Sequence, residues 1–244
     1  ASVKRLWDTS YQQLYQINSA IEGLESSTNL SVNVKEQLLG ECYFLRALLL
    51  SYLNNTFGEI PYVTSTDFQI NKSIGKTSQS QINKMLVVDL ENAISLLDDA
   101  YPSQLRTRVN KSAANLLLAR VYLYQGEWNK AFEAAEITIS NPIYVLEELD
   151  KVFYAESTST VLSLRTLNDA ASTFESQIYF FETLPPPNVA LANNFIDVFS
   201  NGDLRKSLWV SEVSNSNETF YRASKYKRRT AAQPLEFSVI LRIE

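Results

Sequence analysis

The stretch Asn110–Ser140, NKSAANLLLARVYLYQGEWNKAFEAAEITIS, decides the fold. Two apolar-periodic segments of helical length flank the single glycine Gly126, and the spacing predicts helices over Lys111–Tyr124 and Glu127–Ser140. Asn110 stands where an N-cap belongs, because its short side chain can accept from an orphan amide of the first turn. Gly126 lets the chain reverse, since glycine alone enters the left-handed region without steric cost. The returning helix should present Trp128, Ala131, Phe132, Ala135 and Ile139 inward, with the Trp128 ring wedged between the pair. Ala114, Ala119 and Ala131 fall where bulkier side chains would hold the two backbones apart. Asn141-Pro142 ends the segment. This is the grammar of a helical hairpin in a solenoid, which more often builds a scaffold than a catalytic pocket.

The residues before it follow the same plan. Trp7, Tyr11, Leu14, Tyr15, Asn18 and Ile21 recur at helical spacing over Val3–Leu24. After a polar loop, Asn33 and Glu36 have capping-box spacing and should open a helix reaching about Asn55. Its apolar surface, from Leu38 to Leu53, is too broad for a helix with one side in water and should be covered on two. Phe57-Gly58-Glu59-Ile60-Pro61 stops it. Ser78 and Gln81 repeat the box ahead of a helix reaching Leu97. Arg46 and Arg120 lie inside apolar helices. A buried guanidinium is costly without a partner, so they should meet carboxylates such as Glu41, Asp89 or Glu91.

The texture changes after Pro142. Val161–Arg165 and Gln177–Phe181 are short and β-capable, Leu184-Pro185-Pro186-Pro187 is extended, and Ala190–Phe199 reads as a short apolar helix. Leu204–Val210 should be helical and then extended, and Tyr221–Lys227 reads as a strand. Glu236–Glu244, EFSVILRIE, opens an apolar helix or strand and stops within it, so the sequence is expected to continue. The fold class is therefore mostly α: helical pairs forming a scaffold over 1–142, and a loop-rich irregular region with short β-strands over 143–244. The two regions are expected to form one compact structural unit.

Composition narrows the chemistry. The chain has 244 residues, 45% of them apolar, enough to bury a substantial core. Asp and Glu number 27 against 22 Lys and Arg, a net charge of −5 that does not suit nucleic acid. The run Lys225-Tyr226-Lys227-Arg228-Arg229 is basic, and reads as a solvated loop or strand edge. Histidine is absent, which removes the commonest neutral-pH base and metal ligand. The lone cysteine, Cys42, reads as a buried thiol and excludes a disulfide within the chain. Asp98-Asp99 and Glu147-Glu148 are paired carboxylates, but they sit near helix ends or turns where acids are ordinary surface residues. No nucleophile elbow, Walker loop or dinucleotide fingerprint occurs. The reading is of a protein that is not an enzyme, with no cofactor and no metal; scattered loop acids leave structural calcium without a motif.

At this point the matches become specific. Gly40-Glu41-Cys42-Tyr43-Phe44-Leu45-Arg46-Ala47 with Phe57-Gly58-Glu59-Ile60-Pro61 resembles the signature of the SusD/RagB family of nutrient-binding outer-membrane lipoproteins. Asp89-Leu90-Glu91-Asn92-Ala93, Arg108 to Ala114, Leu117 to Tyr124 and Gly126 to Ala131 continue the resemblance, as do Asp203-Leu204-Arg205 and Lys225-Tyr226. Ile240-Leu241-Arg242-Ile243-Glu244 looks like the start of a family helix that leads into a further helical pair. Ile21 stands where the family often has asparagine, and Leu204 where it often has proline. The resemblance implies tetratricopeptide-like helical pairs cradling a loop-rich half. It also implies a lipid-anchored protein on the outer face of a Bacteroidetes outer membrane. There it would partner a TonB-dependent, SusC-like transporter and capture oligosaccharides or other oligomeric nutrients. The export signal and lipid-bearing cysteine of that family lie outside this sequence.

A glycan receptor needs flat rings against sugar faces and polar groups for hydroxyls. Trp209, Tyr221, Tyr154 and Tyr179 are the candidate rings, all in the loop-rich region, and Asn188 and Asn217 the candidate polar contacts. Most other aromatics should be core. Gly126, Trp128, Ala114, Ala119, Ala131, Arg46 and Arg120 are read as structural. The rival reading is a tetratricopeptide-like protein-binding scaffold without a small ligand. Unsustained repeats and an irregular second half speak against it.

Overall fold

The computed structural model describes residues 3–166, 172–228 and 234–243. Two compact units emerge, one comprising Ala1–Pro102 and Arg108–Asn141, the other Ser103–Thr107 and Pro142–Glu244.

The first unit is helical: α1 (Val3–Ser26), α2 (Val32–Phe57), the single turn α3 (Phe68–Asn71), α4 (Gln79–Leu96), α5 (Lys111–Gln125) and α6 (Trp128–Ile139). Packing runs α1 on α2, α2 on α4, α4 on α5 and α5 on α6. The broad apolar surface of α2 is buried from two sides, with Phe44, Ala47 and Leu50 fully enclosed. α2 and the end of α4 approach so closely at Gly40 that a Cβ there would lie 2.6 Å from Leu97 Cγ.

Local chemistry sets the helix ends. Asn110 caps α5, its Oδ1 accepting from the Ala113 amide at 3.0 Å. Gly126 has φ +76°, its amide donating to Leu123 O while that of Glu127 reaches back to Tyr122 O, a Schellman closure. The chain then returns antiparallel: near the end of α6, Thr138 Oγ1 donates to Ser112 O, at the start of α5, at 3.1 Å. Ser78 caps α4 through the Gln81 amide. Asn33 does not cap α2. That helix already begins at Val32, with extended Ser31 before it and no side-chain cap, so Asn33 lies within the first turn.

Small residues are buried on both helices of the hairpin. Ala113, Ala114, Ala119, Ala131, Ala134 and Thr138 are all buried. Trp128 does not wedge between the helices. It is 65% exposed, as Phe132 is at 67%, because the inward stripe of α6 is Ala131, Ala134 and Thr138 and a large ring would force the backbones apart. Lys130 instead sets its ammonium over the Tyr122 ring at 5.5 Å, across the outer side of the hairpin.

A polar node ties α1, α2 and α4. Arg46 Nε and Nη2 donate to Asp89 Oδ2 and Oδ1 at 2.9 and 2.6 Å, a bidentate buried pair. Tyr62 Oη donates to Asp89 Oδ2 at 2.7 Å, and Arg46 Nη1 to Asn18 Oδ1 at 3.1 Å. The Asn18 amide then donates to Val63 O at 2.9 Å. Burial pulls the Arg46 pKa down, but the Asp89 hydrogen bonds and charge more than offset it, and the net shift is upward. Burial first, and then the charge of Asp89, raises the Tyr62 pKa. Arg120 is only half-buried. Glu41 pairs with Arg108 at 2.8 Å.

The second unit holds β1 (Thr160–Leu164), α7 (Phe174–Tyr179), α8 (Leu204–Trp209), β2 (Val210–Ser214), β3 (Thr219–Ala223) and β4 (Ser238–Arg242). β1 pairs antiparallel with β4, from Thr160↔Arg242 to Leu164↔Ser238, with irregular register between. β2 and β3 form a hairpin from Val210↔Ala223 to Ser214↔Thr219. Two expectations change. Gln177–Phe181 contributes to a helix instead of a strand, because Thr173 caps it through the Ser176 amide. Ile240–Arg242 is strand, because β1 supplies it a partner; Glu244, like Arg229 of the basic run, lies outside the described residues. Arg106 secures the unit from the short segment Ser103–Thr107, donating to the carbonyls of Thr158, Thr160 and Ile143 at 2.7, 2.6 and 2.8 Å.

Two stability predictions follow from the helical unit. Gly40→Ala lowers stability by about 1–2 kcal/mol in chemical denaturation, because overpacking against buried Leu97 outweighs the gain of about 1 kcal/mol in helix propensity. Asp89→Asn costs about 3–5 kcal/mol, since it leaves the Arg46 guanidinium buried without a countercharge. Unchanged unfolding midpoints would contradict both.

Candidate functional site

The second unit encloses a cavity of about 550 Å³. Its floor is an aromatic cluster assembled from distant parts of the sequence. Asp203 caps α8, its carboxylate accepting from the Arg205 amide at 2.9 Å and pairing with the Arg205 guanidinium at 2.6 Å. One turn later the helix delivers Trp209, whose indole Nε1 donates to Leu149 O at 2.7 Å. Phe153 meets Trp209 edge-on, with centroids 5.4 Å apart, and Tyr226 at 4.9 Å. Val152 completes the buried group. Tyr226 is held by its hydroxyl, which accepts from the Val239 amide of β4 at 3.0 Å. Burial pushes its pKa up to about 12, so it stays a neutral phenol.

Cations face these rings. Lys225 Nζ lies 5.3 Å from the Trp209 ring centroid and 5.8 Å from that of Phe153. The Arg242 guanidinium stands 5.8 and 5.5 Å from the same rings. Partial desolvation lowers the Lys225 pKa from the ordinary lysine value, and the positive charges of Arg242 and Arg205 add to the effect. The neighbouring carboxylates are engaged elsewhere. Glu175 accepts from the Ser238 hydroxyl at 2.6 Å, and Glu236 from the amides of Lys227 and Arg228 at 2.9 and 3.0 Å.

The outer wall carries more accessible rings. Tyr179 ends α7 and is 42% exposed; Phe195, in the 3-10 segment Asn193–Val198, is 41% exposed. Phe195 meets Phe199 edge-on at 5.4 Å. The Leu191 amide donates to Tyr221 O at 2.8 Å, anchoring the approach to this segment on β3.

Of the residues singled out from the sequence, Trp209 and Tyr179 line the cavity together. Tyr221 sits on β3 opposite Glu212, and Tyr154 bridges Glu236; both are half-buried and outside the lining. Asn188 is exposed in a bend. Asn217 belongs to the β2–β3 turn, its amide donating to Asn215 Oδ1 at 2.8 Å. Phe153, Phe195, Lys225 and Tyr226 escaped sequence reasoning as site residues. The available signals were the Lys225-Tyr226 block and the aromatic spacing of Phe195 and Phe199. Among the described residues, no group of three or more Cys, Asp or Glu side chains could hold a metal ion. No helix among them is long and apolar enough to cross a membrane.

What the cavity offers is therefore apolar ring surface with charged groups beside it: the ammonium of Lys225, the Arg205–Asp203 pair and the carboxylate of Glu175. The family model described as "starch-binding associating with outer membrane" matches residues 1–123, half of the chain, and the chain belongs to the SusD-like family. A SusD-like protein of Formosa agariphila, P25, is 24% identical over 226 residues, covering 89% of this chain and 41% of that protein. In structure, a SusD superfamily protein from Parabacteroides distasonis aligns with 99% of this chain and 60% of its own at TM-score 0.84 and 17% identity. Surface glycan-binding protein A from Bacteroides uniformis aligns with 98% of this chain and 58% of its own at TM-score 0.76 and 17% identity. The chain thus spans less than two thirds of each of these relatives.

Tyr226→Phe tests the way the floor is held. It removes the acceptor of the Val239 amide and should lower stability by about 1–3 kcal/mol in denaturant titration, although volume barely changes. A variant as stable as the parent would show that this amide finds another acceptor.

Proposed function

We propose that this chain is the scaffold and ligand-facing portion of a non-catalytic cell-surface receptor. It captures glycans or related oligomeric nutrients for a TonB-dependent transporter of the SusC type. The observation that carries the reading is the aromatic cavity of the second unit, taken with membership in a family described as starch-binding. In the whole protein a lipid anchor would hold this portion at the outer face of the outer membrane. The helical pairs serve as the frame, and the region after Pro142 meets the ligand.

The physics of capture and release fits the outer wall. Tyr179 and Phe195 expose part of their rings, so a sugar's C–H face can stack without first displacing a core contact. Such stacking gives moderate affinity, which a receptor that must surrender its cargo requires. Within this reading Tyr179 and Trp209 belong to the site. Tyr221 supports it through Leu191, whereas Tyr154, Asn188 and Asn217 are assigned weaker roles.

Affinity electrophoresis against a polysaccharide panel, followed by calorimetry with oligomers of the best ligand, tests the proposal. Tyr179→Ala should weaken binding about three- to tenfold, the worth of one stacked ring, with the melting temperature nearly unchanged. Asn217→Ala, in the hairpin turn, should change affinity less than about twofold. Absence of retardation by every polysaccharide would defeat the reading.

A further inference from the structure

The cavity carries a charge pattern that a neutral sugar does not need. Lys225 is exposed to solvent and lines the cavity, yet among the described residues it forms no ion pair. Asp203 is committed to Arg205, Glu175 to Ser238, and Glu236 to two backbone amides. Arg242 stands against the same two rings as Lys225, while the charge of Arg205 is offset by Asp203, and Glu175, hydrogen-bonded to Ser238, is the carboxylate among the lining residues. The rings of Trp209 and Phe153 face Lys225 and favour a cation there, and a ring face supplies no acceptor oxygen for its N–H groups.

Resting on the glycan-binding reading above, we infer that the cavity selects an anionic sugar, and that Lys225 is the group that pairs with its charge. The shared ligand chemistry is a monoanionic oxygen cluster carried on a pyranose, supplied either by a uronate carboxylate or by a sulfate ester. Arg242 sets a second cation against the rings that Lys225 faces, while Tyr179 and Phe195 provide ring surface for the body of the same sugar. A neutral oligosaccharide would meet those outer rings but leave the ammonium without a counterion. The charge then acts as a selector, adding to stacking for one class of glycan and contributing little for the other.

The experiment uses matched pairs on the full chain. One arm is oligogalacturonate against its carboxyl-reduced, neutral counterpart; the other is a sulfated galactan oligomer against its desulfated counterpart. Each is titrated by calorimetry at low and at moderate salt. Preference for the anionic member of either pair by about fivefold or more, shrinking as salt rises, supports the inference, and the arm that shows it identifies the group. Lys225→Met should abolish that preference while leaving neutral binding within about twofold, and Lys225→Arg should restore most of it. If Lys225→Met fails to fold, the salt-dependent preference of the parent chain still decides. Equal affinity for charged and neutral members overturns the charge selection but leaves the glycan reading standing. No binding of any member, with no retardation on the wider panel, defeats both.

Discussion

The structure of the helical unit depends on one buried ion pair. Arg46 and Asp89 meet through two hydrogen bonds where α2 crosses α4, both side chains almost wholly out of water. Apolar contacts alone leave such a crossing tolerant of small slips, because the hydrophobic effect has no direction. A guanidinium–carboxylate fork has both distance and plane, and an offset of one residue would bury two uncompensated charges. Tyr62 and Asn18 extend that constraint, the first to the chain leaving α2 and the second to α1. α1, α2 and α4 are in this way tied to one another through a shared polar node, and the buried leucines of these helices add the apolar burial.

From α4 onward closeness replaces polarity. α5 packs on α4 and α6 on α5; alanines are buried in both helices of the last pair, and Thr138 bonds back to Ser112. Small side chains permit short interaxial distance, and the Schellman turn at Gly126 sets the reversal. The second unit is built differently. Its centre is a group of rings held by their polar edges, Trp209 through Leu149 O and Tyr226 through the Val239 amide. Those bonds fix ring planes in a region with little regular secondary structure to do so.

What could be read from the sequence divides along the same line. Asn110, Ser78 and Gly126 were legible because caps and left-handed turns are set by the residue itself and a few neighbours. That Arg46 would meet a carboxylate was legible from the cost of burying charge, but which of Glu41, Asp89 and Glu91 it would meet was not. Trp128 was misread because periodicity reports that a residue is apolar, not which of two adjacent apolar stripes meets a neighbour; the small-residue stripe won. β4 was open between helix and strand because its partner β1 lies far back in the chain. The cavity was half legible. Trp209 and Tyr179 could be chosen as rings in an irregular region, but Tyr154 was chosen where its neighbour Phe153 turns inward. Tyr154 and Phe153 both lie in a turn-rich stretch, where no simple sequence period reports which of two neighbouring rings faces a cavity.

The cavity also distributes its rings by accessibility, and this bears on what each can do. Phe153, Trp209 and Tyr226 are nearly fully buried, and the first two have cations set against them. A ligand could not stack on those faces without displacing an ammonium or guanidinium from a favourable position. Tyr179 and Phe195 keep a large part of their surface in water and have no such commitment in the described contacts. The inner rings therefore position charge, and the outer rings offer contact area. Trp209, chosen from the sequence as a candidate ring, shares with Phe153 the ammonium of Lys225 and the guanidinium of Arg242. Under the proposed reading, that separation would let one cavity read two properties of an oligosaccharide, the flat apolar face and the charge borne beside it, through side chains that do not compete for the same surface.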